Sequence, residues 1–194
     1  MCGIASIWFR ESVPWSFRKI LDVMFKWAEQ RGVDGTGYVL LRKHNNRYTI
    51  EKEQRWIESY SQIKNRVLDS FPFLQVGDIV LLICRAAPET EPLTSETNMQ
   101  PICGENVVLV HNGAVSQRLV TEERNRNHYQ FRTSIDSETI ISAYIRHQRD
   151  IKRTQEYLSG GYAYIMVDLL RSQMYVVNDF KPLATGYIKG LGYI

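Results

Sequence analysis

The chain opens with Met1-Cys2-Gly3-Ile4-Ala5-Ser6-Ile7-Trp8-Phe9, and the position of the cysteine decides both the chemistry and the fold that follow. Cysteine is a small second residue, so we expect the initiator Met1 to be removed and Cys2 to become the N-terminal residue. Its thiol and its α-amine then lie within one amino acid. Because α-amines titrate near neutral pH, well below lysine, Cys2 combines a nucleophile with a general base.

A cysteine at this position has two other interpretations. Cysteine is among the residue types most often buried in strands, and Gly3 to Phe9 form a short apolar segment that is typical of a buried strand. A lipidated cysteine is the second alternative, but no apolar leader precedes Cys2. The remaining sequence decides between these interpretations.

Size and composition predict one ordinary globular domain. The chain has 194 residues, 44% of them hydrophobic and 23% charged, which is enough to bury a core without disulfides or metals. The formal net charge of +3 is too small to indicate nucleic-acid binding, which we therefore do not expect.

The cysteines and the apolar segments indicate a cytoplasmic protein. Three cysteines without a pairing pattern argue against a disulfide framework, and metal-ligand spacings such as Cys-x-x-Cys are absent. The N-terminus lacks the pattern of a secretory signal, and no apolar run approaches the roughly 18 residues of a membrane helix. We therefore expect no metal and no membrane association.

The order of predicted elements is β α β β α β β α α β β. Helices are predicted over 17–30, 52–71, 137–149 and 150–158, and strands over 3–9, 38–41, 47–50, 79–84, 106–110, 162–167 and 173–177. Strands joined by short turns favour antiparallel sheets. The prediction is an α+β fold, a four-layer α/β/β/α sandwich of two antiparallel sheets, forming a single domain over 1–194.

Besides the N-terminal Cys2-Gly3-Ile4, five motifs stand at or between the ends of these elements, and each has an ordinary structural explanation. Arg31-Gly32 to Gly37 is a tight turn, Arg85 ends a buried strand, His111-Asn112-Gly113 carries a hairpin signal, and Asp136 is placed to cap a helix. The long segment 86–101, which contains Asn98-x-Gln100-Pro101, is of the length that is usually functional or disordered.

Taken together and in this order, the motifs resemble the glutaminase domain of the class II glutamine amidotransferases, which are N-terminal-nucleophile hydrolases. The resemblance runs from Cys2 to about Leu183. The motifs begin at the N-terminal cysteine, continue through Arg31-Gly32-x-Asp34-x-x-Gly37 and Arg85, and finish with Ser134-x-Asp136-Ser137-Glu138. Any one of these motifs would be weak evidence, whereas six in order are specific.

The resemblance implies a role for each matching residue. Cys2 would attack the side-chain amide of L-glutamine, and Asn112 and Gly113 would form the oxyanion hole. Arg85 would bind the α-carboxylate of the substrate, for which a guanidinium is well shaped, and Asp136 would bind its α-ammonium. The resemblance assigns supporting roles to four further residues, which are Arg31, Asp34, Asn98 and Gln100.

The reaction that the resemblance implies is hydrolysis of glutamine to glutamate and ammonia through a thioester, which needs no metal or organic cofactor. The expected partner is a separate synthase, synthetase or transferase subunit that accepts the ammonia, because no acceptor domain is recognisable in the 194 residues. Two departures from the family pattern concern the substrate pocket: the run Ala86-Ala87-Pro88-Glu89-Thr90 after Arg85, and Ile135 before Asp136.

Two alternatives remain open from the sequence. The first is an N-terminal-nucleophile hydrolase that acts on another amide, which the altered run at 86–90 would permit. The second is a non-catalytic binding module on the same fold. Its basic segment would contact an acidic partner through Arg118, Arg124, Arg126 and Arg132.

Overall fold

The computed structural model describes residues 1–87 and 95–194. Its strands, in chain order, are β1 (Gly3–Phe9), β2 (Gly35–His44), β3 (Arg47–Trp56), β4 (Ile79–Arg85), β5 (Ile102–Gly104), β6 (Val107–Val115), β7 (Gly160–Asp168), β8 (Gln173–Asp179), β9 (Tyr187–Ile188) and β10 (Gly192–Tyr193). Its helices are α1 (Phe17–Glu29), α2 (Tyr60–Ser70), α3 (Gln117–Asn125), α4 (Glu138–Arg146) and α5 (Ile151–Tyr157), with a 3-10 turn at Glu96–Asn98.

The strands form two antiparallel sheets. One sheet has the order β3-β2-β4-β1-β10-β9 and the other has the order β5-β6-β7-β8. Side chains from the two inner faces meet in one apolar layer, where Leu81 and Ile83 of β4 pack with Val108 and Val110 of β6. Helices cover both outer faces, so the architecture is the predicted four-layer α/β/β/α sandwich, the arrangement typical of N-terminal-nucleophile hydrolases.

Strand β4 is buried along its whole length because it lies inside this sandwich. All seven of its residues, including Arg85, are buried. Alternate side chains enter different layers: Val80 and Leu82 pack under α1 and α2, whereas Leu81 and Ile83 pack between the sheets. Because both faces of the strand are buried, its sequence is a continuous apolar run up to Arg85.

The helix predicted over 52–71 is wrong in its first part. Strand β3 continues to Trp56, which pairs with Thr36 of β2, and α2 begins only at Tyr60. Trp56 is buried against Tyr38 with ring centroids 6.1 Å apart. Cross-strand pairing and aromatic packing therefore outweigh the helical spacing of the apolar residues.

Two loop predictions also change. The segment 114–133, in which no helix was predicted, contains α3, whose Leu119 and Val120 are buried. The Asn112-Gly113 pair does not form a hairpin turn, because β6 runs through it to Val115 in register with β7. Asn45 and Asn46 form the turn between β2 and β3, and they have positive φ angles of 47° and 65°. Within the described part of the chain, no helix combines the length and apolar character that crossing a bilayer requires.

We expect Phe25→Ala to lower the free energy of unfolding by about 3–5 kcal/mol. Phe25 is fully buried in α1, stacks on Tyr60 with centroids 4.7 Å apart and meets Phe71 edge-on at 6.4 Å. Equilibrium urea denaturation measures the change.

Phe180→Ala is the matched control, because the same side chain is 89% exposed there. We expect that variant to change stability by no more than about 0.5 kcal/mol. Equal losses in the two variants would contradict the placement of α1 against the six-stranded sheet.

Candidate active site

A cavity of about 230 Å³ lies at the ends of β1, β4 and β6. Its walls are formed by Cys2, Arg85, Ala86, Gln100, His111, Gly113, Ala114, Val115, Gln117, Asp136 and Ser137. The cavity therefore contains five of the residues predicted from the sequence, although they are spread over more than 130 positions of the chain. Larger cavities occur elsewhere in the molecule, but they contain none of the predicted site residues.

Strand pairing brings the cysteine and the arginine together. In the register of β1 with β4, Gly3 is opposite Cys84, so the residue before Gly3 and the residue after Cys84 are neighbours at the same end of the sheet. These residues are Cys2 and Arg85. Their proximity thus follows from backbone hydrogen bonding between two buried strands, and does not depend on a flexible loop.

The Cys2 thiol is half-buried, and its Sγ lies 3.8 Å from the carbonyl oxygen of Ala86. Burial raises the pKa of the Cys2 thiol above its ordinary value, while the nearby Arg85 guanidinium lowers it and the Asp136 carboxylate raises it. The positive charge of Arg85 therefore favours the reactive thiolate, in opposition to the effect of burial.

Arg85 is a buried cation whose charge is not fully compensated. It is only 6% exposed, and its Nη1 atom has no hydrogen-bond partner among residues 1–87 and 95–194. A buried charge without a partner is costly. An anionic group of a ligand in the cavity would supply the missing hydrogen-bond acceptors.

Asp136 supplies the opposite charge on the cavity wall. Its Oδ2 accepts a hydrogen bond of 2.7 Å from the backbone N–H of Val115, and its Oδ1 accepts a longer one of 3.4 Å from Ser137. Two donors from different elements thus fix the orientation of the carboxylate. Asp136 precedes α4, but its side chain is directed to β6, so the capping role suggested by its position is not the role it has.

Two residues that were not predicted as site residues, His111 and Ser137, also line the cavity. Both are buried, and His111 Nδ1 lies 2.7 Å from Ser137 Oγ. The sequence did place each of them within one of the six motifs. Sequence alone gave no reason to prefer them to their neighbours, because their connection is made across the fold.

The Arg31-to-Gly37 motif packs against the backbone that carries Arg85 and Ala86 in the cavity wall. Asp34 Oδ2 accepts a hydrogen bond of 2.8 Å from the N–H of Ala87, and the Asp34 N–H donates to the carbonyl oxygen of Arg85 at 2.9 Å. Gly32 packs so closely on this segment that a Cβ atom would lie 2.5 Å from the nitrogen of Ala86. The motif therefore holds the backbone from the carbonyl group of Arg85 to the N–H of Ala87.

Asn112 and Gly113 are consecutive residues of β6 and therefore lie on opposite faces of the strand. Gly113 lines the cavity and has a φ of 131°, and a Cβ there would lie 2.7 Å from the Cα of Tyr162, so only glycine fits. Asn112 is buried, does not line the cavity, and has an Oδ1 without a partner among the described residues. Strand alternation places it on the face that also carries Val110, toward the layer where Cys2 packs.

The two other supporting residues occupy different environments. Asn98 Oδ1 accepts a hydrogen bond of 3.2 Å from the N–H of Ser134 and so ties the 3-10 turn to the loop that carries Asp136. Arg31 is exposed and is not part of the cavity wall. Of the run at 86–90, Pro88, Glu89 and Thr90 lie outside the described residues.

The basic segment does not form a free cationic surface. Arg118 pairs with Glu122 at 2.8 Å, and Arg126 pairs with Glu123 at 3.6 Å. The side chains of Arg124 and Arg132 donate to backbone carbonyl oxygens. In the described part of the chain, no group of three or more His, Cys, Asp or Glu side chains is placed to hold a metal ion.

We expect Cys2 to be alkylated at lower pH than the other two cysteines. Burial raises the pKa of Cys84 to about 12 and that of Cys103 to about 11, although Arg55 and Arg132 oppose it at Cys103. Burial also raises the pKa of Cys2, where the contact with Ala86 and the positive charges of Arg85 and the N-terminus oppose it. Iodoacetamide labelling over a pH series, read by peptide mass spectrometry, measures the three midpoints.

Two charge variants test the cause. Arg85→Gln removes the cation that stabilises the thiolate and should move the Cys2 midpoint to higher pH, whereas Asp136→Asn removes a repelling anion and should move it to lower pH. Shifts in the same direction would show that these charges do not control the thiol.

Comparisons with known proteins agree with this geometry. A family model described as a glutamine amidotransferase domain matches residues 88–193. The chain is 26% identical over 206 residues to 7-cyano-7-deazaguanine synthase 2 of Sulfurisphaera tokodaii, covering 100% of this chain and 42% of its relative. It is also 26% identical over 207 residues to the glutamine–fructose-6-phosphate aminotransferase of Buchnera aphidicola, covering 100% of this chain and 32% of that protein.

The fold has a counterpart among solved structures. The structure of "the allosteric regulatory enzyme of purine biosynthesis" superposes with a TM-score of 0.66 at 20% identity, covering 100% of this chain and 44% of the other. The chain thus spans less than half the length of each of these three proteins. With the family model matching more than half of its residues, the chain belongs to the glutamine amidotransferase domain family, in the class II form that has the N-terminal-nucleophile hydrolase fold.

Proposed function

We propose that this domain hydrolyses L-glutamine to L-glutamate and ammonia through a thioester on Cys2. The observation that supports this most strongly is the pair of opposite charges that the cavity holds beside a thiol, Arg85 on one wall and Asp136 on another. A free amino acid carries one carboxylate and one ammonium on the same carbon. Glutamine within a peptide carries neither, so this charge pair favours the free amino acid.

The proposed mechanism begins with removal of Met1, which gives Cys2 a free α-amine. That amine takes the thiol proton, and the sulfur attacks the side-chain amide carbon of glutamine. The C–N bond then breaks, and ammonia leaves with the proton returned by the amine. Water attacks the resulting thioester, which releases glutamate and restores the thiol.

The remaining residues would stabilise the charge of the intermediate, bind the charged groups of the substrate or hold the site in position. The side chain of Asn112 and the backbone N–H of Gly113 would stabilise the oxyanion of the tetrahedral intermediate, where losing one donor typically costs about 10²- to 10³-fold in rate. Arg85 would bind the α-carboxylate in bidentate fashion, and Asp136 the α-ammonium. Asp34 would act by holding the backbone around Arg85, to which it is hydrogen-bonded.

We further propose that residues 1–194 work as one glutaminase domain whose ammonia is used by a separate acceptor protein, a synthase, synthetase or transferase. The relatives support an acceptor of this kind, because their printed names are those of a synthase and an aminotransferase.

Cys2→Ala should lower glutamate release from L-glutamine by at least about 10³-fold, since the nucleophile is lost. Intact mass spectrometry first establishes that Met1 is absent from the purified protein. A glutamine analogue with a diazoketone in place of the amide provides a second measurement, because it should label Cys2 covalently and L-glutamine should protect against it.

Cys103→Ala is the matched control, because this cysteine lies outside the cavity; it should retain activity within about twofold. A processed chain that neither releases glutamate nor takes the diazoketone label would refute the proposal. Labelling that other amides prevent better than glutamine does would identify a different substrate.

A further inference from the structure

Gln100 is held in one orientation, and this fixes the hydrogen bonds around it. Its Oε1 lies 2.6 Å from the backbone nitrogen of His111. A backbone N–H can only donate, so this side-chain atom must be the oxygen, and the other must be the amide nitrogen. The Gln100 Nε2 atom therefore donates to the carbonyl oxygen of His111 and to Ser137 Oγ, each at 3.2 Å.

Ser137 has three polar neighbours and one proton to donate. Gln100 Nε2 is a donor only, at 3.2 Å, and the ionised carboxylate of Asp136 is an acceptor only, at 3.4 Å. His111 Nδ1, at 2.7 Å, can take either role. One arrangement satisfies all three contacts: His111 Nδ1–H donates to Ser137, and Ser137 donates to Asp136.

The state of His111 agrees with this arrangement. The side chain is 1% exposed, and burial lowers the pKa of the imidazole below its ordinary value, partly offset by Asp136, so the ring is neutral. With the proton on Nδ1, the Nε2 atom is an acceptor, and it has no partner among residues 1–87 and 95–194. An unpartnered buried acceptor is tolerated better than an unpartnered N–H group, which favours this tautomer.

We propose that His111 and Ser137 are positioning residues that hold the Asp136 carboxylate for the α-ammonium of the substrate and so set the preference for an amino acid. Val115 N–H fixes one carboxylate oxygen, and the relay from His111 through Ser137 fixes the other. This inference rests on the proposed function, since it concerns the residue assigned to the α-ammonium. His111 acts only through Ser137 and not on the reacting amide.

The proposal is distinguished from a purely structural role by the part of the substrate that is affected. Loss of the relay should weaken binding of ligands that carry an α-ammonium and leave other ligands unaffected. A general disturbance of the cavity would weaken both. L-glutamine and glutaramate, which is glutamine without the α-ammonium, differ in this group alone.

The test measures the dissociation constants of both ligands by calorimetry in the Cys2→Ala protein, in which neither is consumed. Adding Ser137→Ala should weaken L-glutamine binding by about 3- to 10-fold, the effect of one hydrogen bond, and change glutaramate binding by less than about twofold. In the protein with Cys2 intact, the same substitution should raise KM for glutamine with little change in kcat.

Ser134→Ala is the matched control, because Ser134 is an exposed serine on the same loop; it should change neither dissociation constant. His111→Ala should weaken glutamine binding in the same way, and should have no further effect when Ser137 is already alanine, because the two act in series. Thermal melting identifies any variant that fails to fold, and the Ser137 and His111 substitutions provide independent readings.

Equal weakening of both ligands by Ser137→Ala would overturn the positioning role, as would a fall in kcat at constant KM. A parent protein that does not prefer L-glutamine to glutaramate would overturn it as well. Because binding is measured without turnover, a protein that prefers glutamine but does not hydrolyse it would refute the proposed reaction and leave the positioning role supported.

Discussion

The antiparallel pairing of β1 with β4 is the interaction on which the rest of the site depends. Gly3 is opposite Cys84, so the first reactive residue of the chain and the guanidinium of Arg85 are held at one end of the same sheet. Strand β4 is buried throughout, which gives this pairing the stability of the core. A thiol at a chain terminus would otherwise be among the most mobile parts of a protein.

The second sheet brings the other half of the cavity. Strand β6 carries His111, Asn112 and Gly113, and its apolar residues pack directly against β4 in the layer between the sheets. Burial of that layer, and not a direct bond between the site residues, sets the distance between the Cys2 thiol and these residues of β6. Gln100 adds a local constraint, because it binds both backbone groups of His111.

The loop before α4 is ordered by one buried carboxylate. Glu138 is fully buried and accepts hydrogen bonds from the backbone N–H groups of Arg132 and Thr133, from the Thr133 hydroxyl and from the Tyr129 hydroxyl. These bonds satisfy a charge that would be costly if left alone. They also fix the loop that delivers Asp136, so the motif around Asp136 includes both the charged group and its support.

The sequence by itself determined the fold class, the family and the identity of five of the eleven residues that line the cavity. Periodicity indicated buried strands and amphipathic helices because the layers of a sandwich impose those patterns, and the six ordered motifs carried the resemblance. It was wrong where two patterns compete locally: Trp56 has helical spacing but pairs across a hairpin, and Asn112-Gly113 has turn chemistry but continues a strand.

Only the tertiary structure decided which of these residues share a cavity and what connects them. The sequence assigned supporting roles to both Arg31 and Gln100 and did not distinguish them. In the structure Arg31 is exposed, whereas Gln100 is buried and hydrogen-bonded to the backbone of His111. The link from His111 through Ser137 to Asp136 joins a strand to a helix more than 20 positions away. Hydrogen bonds of this kind depend on distances and angles between elements, which composition and spacing along one chain do not encode.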